Sequence, residues 1–201
     1  MQAKEIKKDI YWVGVKDWNL REFHGYATPH GSTYNSYLIM DEKITLVDGV
    51  KSCMSQEMTE RVKSVVDFSQ ISYVVRSVVV NHVEMDHSGN IPEIMKLAPQ
   101  AVIITDNAGK MALEAHFDTA GWNYKLVTTG ESVSIGKRSL TFMTTPMLHW
   151  PDSMMTYVKE EKLLLSNDGF GQHLASDGLF VNEQPLDLVV NEAKSYYANI
   201  L

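Results

Sequence analysis

The residues best suited to chemistry lie in one short stretch, residues 81–89, with the sequence NHVEMDHSG. Its potential metal ligands are His82, Glu84, Asp86 and His87. The first three are spaced two apart, and alternate residues of an extended segment point to the same side. His87 breaks this alternation and can point elsewhere. The stretch therefore predicts a loop that serves two adjacent metal ions, and the simpler alternative is a solvated polar loop.

Two further candidates lie downstream, at the ends of strand-like runs. His149 stands in the segment TPMLHWPDS, and Asp168 stands in the segment SNDGFG. The neighbouring proline and glycine residues are typical of tight turns. Taken alone, a histidine beside a tryptophan is more often a packed side chain, and Asp-Gly is more often a turn. The significance of both residues depends on whether they join the first cluster.

The elements that must position these residues alternate between strands and helices in the first half of the chain. The predicted strands there span residues 9–15, 34–40, 44–47, 76–80 and 101–105, and the predicted helices span residues 55–68, 91–97 and 107–117. The second half is predicted to form strands at residues 125–129, 132–135, 140–144, 154–158 and 163–165, then a helix over residues 185–201. This order predicts an α/β fold of two sheets with helices outside.

Composition limits the class of protein. The 201 residues suffice for one well-packed domain, and 44% hydrophobic with 21% charged residues is typical of a globular protein. The net charge of -7 argues against nucleic acid or an anionic membrane surface as a partner. No targeting signal and no apolar run of membrane-spanning length is visible. The single cysteine, Cys53, excludes an intrachain disulfide and a cysteine-built metal site, so we expect a cytoplasmic location.

Taken together, the cluster, the His149 segment and the Asp168 segment resemble flavodiiron proteins, also called rubredoxin:oxygen oxidoreductases or A-type flavoproteins. The runs FHGYATPHGSTYNSYLI at residues 23–39 and YYANI at residues 196–200 carry the same resemblance. Glu84 stands where hydrolytic metallo-β-lactamase relatives place a histidine. A carboxylate makes the site harder and more anionic, which suits iron over zinc.

The resemblance implies a metallo-β-lactamase-like αββα sandwich, incomplete at its C-terminus, with residues 1–201 as a partial di-iron domain. Six residues are implied as iron ligands: His82, Glu84 and His149 for one ion, Asp86 and His87 for the other, and Asp168 as a bridge. Three pocket residues are implied to hydrogen-bond a ligand on the iron: His24, Tyr26 and Tyr197. The remaining histidines are expected to be surface or structural residues: His30, His116 and His173.

The implied function is reduction of O₂ to water or of NO to N₂O, with electrons that FMN receives from rubredoxin or a similar donor. In the family, the flavin of one subunit lies over the di-iron site of its partner, which implies a head-to-tail homodimer. Two departures matter here. No histidine follows His173 to supply the family's final iron ligand, and the flavodoxin-like domain that binds FMN is absent. Since the chain also stops inside an apolar segment, we expect a truncated chain that does not bind the flavin itself.

Two alternatives from other classes stay open. A dizinc hydrolase of the same fold would use a bridging hydroxide, and Glu84 is the feature against it. An inactive fragment would have an empty or half-filled metal site, because the second iron is left with Asp86, His87 and the shared Asp168. The loss of a direct ligand should weaken that ion by more than the roughly 10–100-fold effect of losing a supporting residue.

Overall fold

The structure, a computed structural model, describes residues 1–66 and 75–201. The strands in this part of the chain are β1 Lys4–Lys7, β2 Ile10–Trp12, β3 Val15–Asp17, β4 Glu22–Phe23, β5 Tyr26–Ala27, β6 Ser32–Tyr34, β7 Tyr37–Ile39, β8 Ile44–Val47, β9 Val75–Val79, β10 Val102–Thr105, β11 Asn123–Leu126, β12 Ser132–Ser134, β13 Ser139–Thr144, β14 Met154–Val158 and β15 Leu163–Leu165. The α-helices are α1 Ser55–Lys63, α2 Met85–Ser88, α3 Ile91–Leu97, α4 Asn107–His116 and α5 Leu186–Asn199, and short 3-10 helices span Ser52–Met54 and Val181–Glu183.

Two sheets form the centre of the fold. The first has the strand order β1-β2-β7-β8-β9-β10-β11, in which the pairs from β8 to β11 are parallel and the others are antiparallel. The second is an antiparallel sheet in the order β12-β13-β14-β15. Because β13 and β15 both run antiparallel to β14, their carboxyl ends lie at the same edge of the second sheet.

One hydrophobic core lies between the two sheets. It combines buried residues of the first sheet with buried residues of the second: Ile10, Ile39, Val47, Val79 and Ile104 with Leu140, Phe142, Met154, Val158 and Leu165. Alternate residues of a strand point to opposite faces, and this pattern gives the second sheet its inward apolar row. The core fixes the relative position of the loops that leave both sheets.

A second core lies between the first sheet and a layer of helices. Residues from β7, β8 and β10 pack there against residues from α1, α3 and α4: Leu38, Leu46 and Ile103 with Met58, Val62, Ile91, Ile94 and Leu113. Burial on both faces explains why β8 and β10 are almost wholly apolar, as is usual for parallel strands. Within the described residues, no helix combines the length and the apolar composition that crossing a bilayer requires.

Most of the predicted elements are found, with shifted ends. The predicted strand over residues 9–15 is divided into β2 and β3 at Gly14, where a side chain would collide with the backbone oxygen of Tyr34. The predicted strand at 125–129 is found earlier, as β11. The helix predicted over residues 55–68 ends at Lys63, and residues 67 and 68 lie outside the described part of the chain.

Candidate metal centre

Loops from both sheets meet at one edge of the sandwich. His82 follows β9, whereas His149 and Asp168 follow β13 and β15. The residues of the 81–89 stretch are not a plain extended loop, because Glu84 precedes the single turn of α2, which contains Asp86 and His87. The expected alternation therefore applies to His82 and Glu84, and the helical turn redirects the next two side chains.

Four of the predicted ligands form one group. His82, Glu84, His149 and Asp168 each offer one ligand atom, and these atoms all lie within 4.8 Å of one another. The Oε2 atom of Glu84 lies 3.3 Å from Nε2 of His82 and 3.0 Å from Nε2 of His149. The Oδ2 atom of Asp168 lies 3.5 Å from each of the same two nitrogens. This convergence of imidazole nitrogens and carboxylate oxygens suits a divalent transition metal.

A second group lies on the other side of Asp168. Nε2 of His87 is 2.9 Å from Oδ1 of Asp168 and 3.3 Å from Oδ2 of Asp86. Asp168 therefore directs Oδ2 towards the first group and Oδ1 towards the second, which is the arrangement that a carboxylate bridging two ions requires. The Oδ1 atom of Asp86 is buried and has no hydrogen-bond partner. A buried carboxylate oxygen without a partner is costly, and a cation would satisfy it.

The carboxylates of the centre have shifted pKa values. Burial alone would raise the pKa of Glu84, but hydrogen bonds from His149, His24 and His82 outweigh it and hold the pKa well below its ordinary value. Asp168 behaves in the same way, because the neighbouring imidazoles outweigh its burial and lower its pKa. Asp86 differs, since burial raises its pKa above the ordinary value.

The pKa values of the neighbouring histidines are shifted upwards. Burial alone would lower the pKa of His82, but the contacts with Asp152 and Glu84 raise it to about 9. The pKa of His149 is likewise raised to about 9, since hydrogen bonds to Asp168 and Glu84 outweigh its burial. In the chain alone, protons on these imidazoles offset the carboxylate charge. A metal ion would replace those protons, so metal binding should release them.

Two acidic residues outside the predicted ligand set support the centre. Oδ2 of Asp152 lies 3.3 Å from Nδ1 of His82 and accepts a hydrogen bond from the backbone N–H of Val83 at 2.7 Å. Asp48 is buried and accepts hydrogen bonds from Asn81 and from the Asn167 side chain. In the sequence, Asp152 lies three residues after His149, and Asp48 directly follows the predicted strand at residues 44–47. Neither position indicated that these side chains would contact the residues around the centre.

The predicted pocket residues are only partly gathered at the centre. His24 donates from Nε2 to Oε1 of Glu84 at 2.6 Å, and the Tyr26 hydroxyl is buried without a partner. Tyr197 is 47% exposed, whereas its neighbour Tyr196 is 3% exposed and lines the cavity of about 230 Å³ beside His87 and Asp168. The structure thus turns Tyr196, and not Tyr197, towards the centre.

The two packed sheets with outer helices, together with a histidine–carboxylate centre at the edge of the sandwich, define a metallo-β-lactamase-type domain. Comparison with known proteins makes the assignment more specific. The chain belongs to the family described as ODP family beta lactamase, whose model matches residues 33–201.

Similar proteins of known name agree with this family. The chain is 48% identical over 202 residues to a nitric oxide reductase of Moorella thermoacetica, covering 100% of this chain and 50% of that protein. It is 42% identical over 202 residues to the rubredoxin-oxygen oxidoreductase of Megalodesulfovibrio gigas, covering 100% of this chain and 49% of that protein. The chain thus spans about half the length of the curated relatives that it matches.

Solved structures give the same result. The flavodiiron protein of Giardia intestinalis superposes with a TM-score of 0.93 at 36% identity, covering 100% of this chain and 48% of that one. The rubredoxin oxygen:oxidoreductase of Desulfovibrio gigas superposes with a TM-score of 0.94 at 41% identity, covering 99% of this chain and 49% of that one. The predicted fold class and the predicted resemblance to flavodiiron proteins are confirmed.

Proposed function

We propose that this chain is the di-iron domain of an oxidoreductase that reduces NO to N₂O or O₂ to water. One iron would be held by the first group and the second by the other group, with Asp168 between them. The observation that carries the proposal is the division of the two Asp168 oxygens, with Oδ2 facing His82 and His149 and Oδ1 facing His87.

The donor set favours iron over zinc. Three carboxylates and three histidines surround the centre, and no cysteine takes part. Hard carboxylate oxygens suit iron, whereas the hydrolytic relatives use more imidazole. Glu84 carries this difference, since it lies in contact with His82, His149 and His24 at once.

Bound iron would supply the electrons for the reaction and the open positions at which a diatomic gas binds. The residues of the chain then have separate tasks. His24 donates to Glu84 and so fixes the orientation of that carboxylate. Asp152 does the same for the imidazole of His82. Burial raises the pKa of Tyr26 to about 12, so its hydroxyl keeps its proton at neutral pH and can donate a hydrogen bond.

The proposed reactions would also need a source of electrons. Conversion of two NO to N₂O and water takes two electrons and two protons, whereas conversion of O₂ to two waters takes four of each. Two ferrous ions held by these residues would together supply two electrons, so reduction of O₂ would need two more, which FMN would provide. The names of the relatives support rubredoxin, or a similar protein, as the donor to that flavin.

The assembly and the location follow from the same proposal. The flavin would lie in a flavodoxin-like domain, and the flavin of one subunit would lie over the iron site of its partner in a head-to-tail homodimer. The single cysteine, Cys53, supports a reducing, cytoplasmic location.

A single-turnover reaction with NO tests the proposal without any flavin. The chain, loaded anaerobically with two ferrous ions, should convert two equivalents of NO into one of N₂O, measured by gas chromatography. Glu84→Gln should abolish this yield, and the exposed Glu114→Gln should retain it as the matched control. An iron-loaded chain that forms no N₂O would contradict the proposal, and full zinc occupancy with ester hydrolysis would favour the dizinc hydrolase.

A further inference from the structure

Residues 174–178, here called the strap, are held by β3, β6 and the turn before β6. The hydroxyl of Thr33 in β6 donates a hydrogen bond to the carbonyl oxygen of Leu174 at 2.7 Å. The backbone N–H of Ala175 donates to the carbonyl oxygen of His30 at 2.8 Å. These two bonds fix the first half of the strap beside β6.

The second half of the strap is held by one ammonium group. Nζ of Lys16 in β3 donates to three consecutive carbonyl oxygens, those of Ser176, Asp177 and Gly178, the last two at 2.9 Å and 3.0 Å. A lysine ammonium has three N–H donors, so these bonds use all of them. In the part of the chain that the structure describes, no carboxylate forms an ion pair with Lys16. Its charge is therefore directed at the backbone of the strap.

The strap is also packed closely at both ends. A Cβ atom at Gly31, in the turn before β6, would lie 2.4 Å from the backbone oxygen of Asp17 and 3.0 Å from Cβ of Ala175. At the other end, a Cβ atom at Gly178 would lie 2.5 Å from the side-chain nitrogen of Gln184. The hydrogen bonds of the strap thus hold it in a place where its neighbours leave little space.

The strap forms one wall of the cavity beside the second group of ligands. Leu174, Ser176 and Gly178 line this cavity of about 230 Å³ together with His87 and Asp168. The strap begins six residues after Asp168. It therefore also holds the downstream end of the loop that carries this carboxylate.

The upstream end of the same loop is fixed independently. Strand β15 pairs with β14 as far as Leu165, and the side chain of Asn167 donates to Oδ2 of Asp48 at 3.2 Å. Supporting contacts of this kind determine where a metal-binding carboxylate points. Because the two ends are held by different contacts, release of the downstream end should move Asp168 without unfolding the sheet.

We propose that Lys16 is a positioning residue for the second metal ion, because its ammonium anchors the strap and so keeps Oδ1 of Asp168 beside His87. This inference rests on the proposed function, in which Asp168 bridges two iron ions. The first ion depends less on the strap, since His82 and His149 lie in loops after β9 and β13, which the bonds of Lys16 do not reach. Loss of the ammonium should therefore weaken the second ion and spare the first.

Titration with cobalt(II) measures the two affinities, because the first and second equivalents change the ligand-field absorption in turn. Lys16→Met keeps the length of the side chain but removes the ammonium. It should weaken the second cobalt ion about 10-fold, the lower end of the range for losing a supporting residue, and leave the first unchanged. Lys16→Arg keeps a cationic N–H donor and should retain most of the second affinity. Lys7→Met alters an exposed lysine of β1 and should bind both ions as wild type does.

The strap can also be observed without any metal. Hydrogen exchange of the metal-free chain, followed by mass spectrometry, should be faster in Lys16→Met at the peptide that contains Ala175, and unchanged in β13 and β14. Thr33→Val removes the bond to Leu174 but keeps the shape of the side chain. It should produce smaller changes in the same direction, both in exchange and in the second affinity, and it replaces Lys16→Met if that variant does not fold.

Equal second affinities in wild type, Lys16→Met and Thr33→Val would overturn the proposal, and so would an equal loss of both ions in Lys16→Met. Failure of the proposed function would appear differently. A chain that binds two cobalt ions and loses the second in Lys16→Met, but forms no N₂O when loaded with iron, would support the role of Lys16 and contradict the reductase. A wild type that binds a single cobalt ion would overturn both.

Discussion

Among single residues, Asp152 supports a predicted metal ligand, because it contacts the imidazole of His82. Its carboxylate faces Nδ1 of His82, so Nε2 of that ring is left to face Glu84 and Asp168. Carboxylates in this position fix the tautomer of a metal-binding histidine and raise its basicity. The backbone N–H of Val83 holds the same Asp152 oxygen in place at 2.7 Å.

Replacement of Asp152 should therefore weaken metal binding. Asp152→Asn keeps the shape of the side chain but removes its charge, so the affinity of the first metal should fall about 10–100-fold. Competition with a chelator of known affinity measures this change. Asp177→Asn, an exposed aspartate on the surface, serves as the control and should bind metal as wild type does. An unchanged affinity in Asp152→Asn would show that His82 needs no support.

A sequence motif does not determine which of the adjacent residues Tyr196 and Tyr197 faces the centre. The run YYANI indicated a tyrosine in the pocket, and residue 197 was expected there. The run lies in the helix α5, where consecutive side chains point about 100° apart, so only one of the two tyrosines can face the centre. Packing against His173 selects Tyr196. This selection depends on the tertiary position of α5, which the local sequence does not contain.

At the scale of elements, Asp41 connects the two sheets. It lies in the turn between β7 and β8 and accepts hydrogen bonds from the backbone N–H groups of Lys137 and Arg138, each at 3.0 Å, between β12 and β13. Its carboxylate also lies 3.5 Å from the guanidinium of Arg138. Burial alone would raise the pKa of Asp41. The hydrogen bonds from backbone N–H groups outweigh burial, so the pKa lies below its ordinary value.

Asp41→Asn should reduce the free energy of unfolding by about 1–3 kcal/mol at pH 7, because a charged acceptor of several N–H groups is lost. A lowered folded-state pKa stabilises the fold above the unfolded pKa of about 4, and this stability is lost as the pH falls further. The difference between wild type and Asp41→Asn should therefore shrink below about pH 4. Urea unfolding across pH checks this, with Glu42→Gln in the same turn as control.

The strands and helices could be predicted from the sequence more accurately than the breaks and turns between them. Hydrophobic periodicity located the core strands, because β8, β10 and β14 are buried and apolar. It did not locate the break at Gly14 or the helical turn of α2 inside the ligand stretch. Both depend on contacts with distant backbone, such as the oxygen of Tyr34 against Gly14. The convergence of His82, Glu84, His149 and Asp168 could be predicted because the residue types and their order are specific. The contacts of Asp48 and Asp152 could not be predicted, because they depend on how the chain folds.

For the whole molecule, metal binding should stabilise the fold, because His82, Glu84, His149 and Asp168 come from distant parts of the sequence and converge only in the folded chain. A metal that binds only the folded state at 100 times its Kd contributes about 2.7 kcal/mol. For a domain of this size, that corresponds to a rise in Tm of about 5–10 °C. Differential scanning calorimetry with and without ferrous iron measures the shift.

Two variants make the stability measurement specific. Glu84→Gln should show a much smaller rise in Tm with iron, whereas Glu114→Gln, which alters an exposed carboxylate, should show the full rise. A chelator should reverse the effect in wild type. Equal rises in wild type and Glu84→Gln would mean that the iron binds somewhere else on the acidic surface.

The proposed di-iron centre requires two metal ions on opposite sides of Asp168. Anomalous scattering at the iron edge, from crystals of the chain saturated anaerobically with ferrous iron, tests it most directly. We expect two peaks for each chain. One should lie in contact with His82, Glu84 and His149, the other in contact with Asp86 and His87, and Asp168 should contact both. A single peak, or two peaks that do not share Asp168, would contradict it.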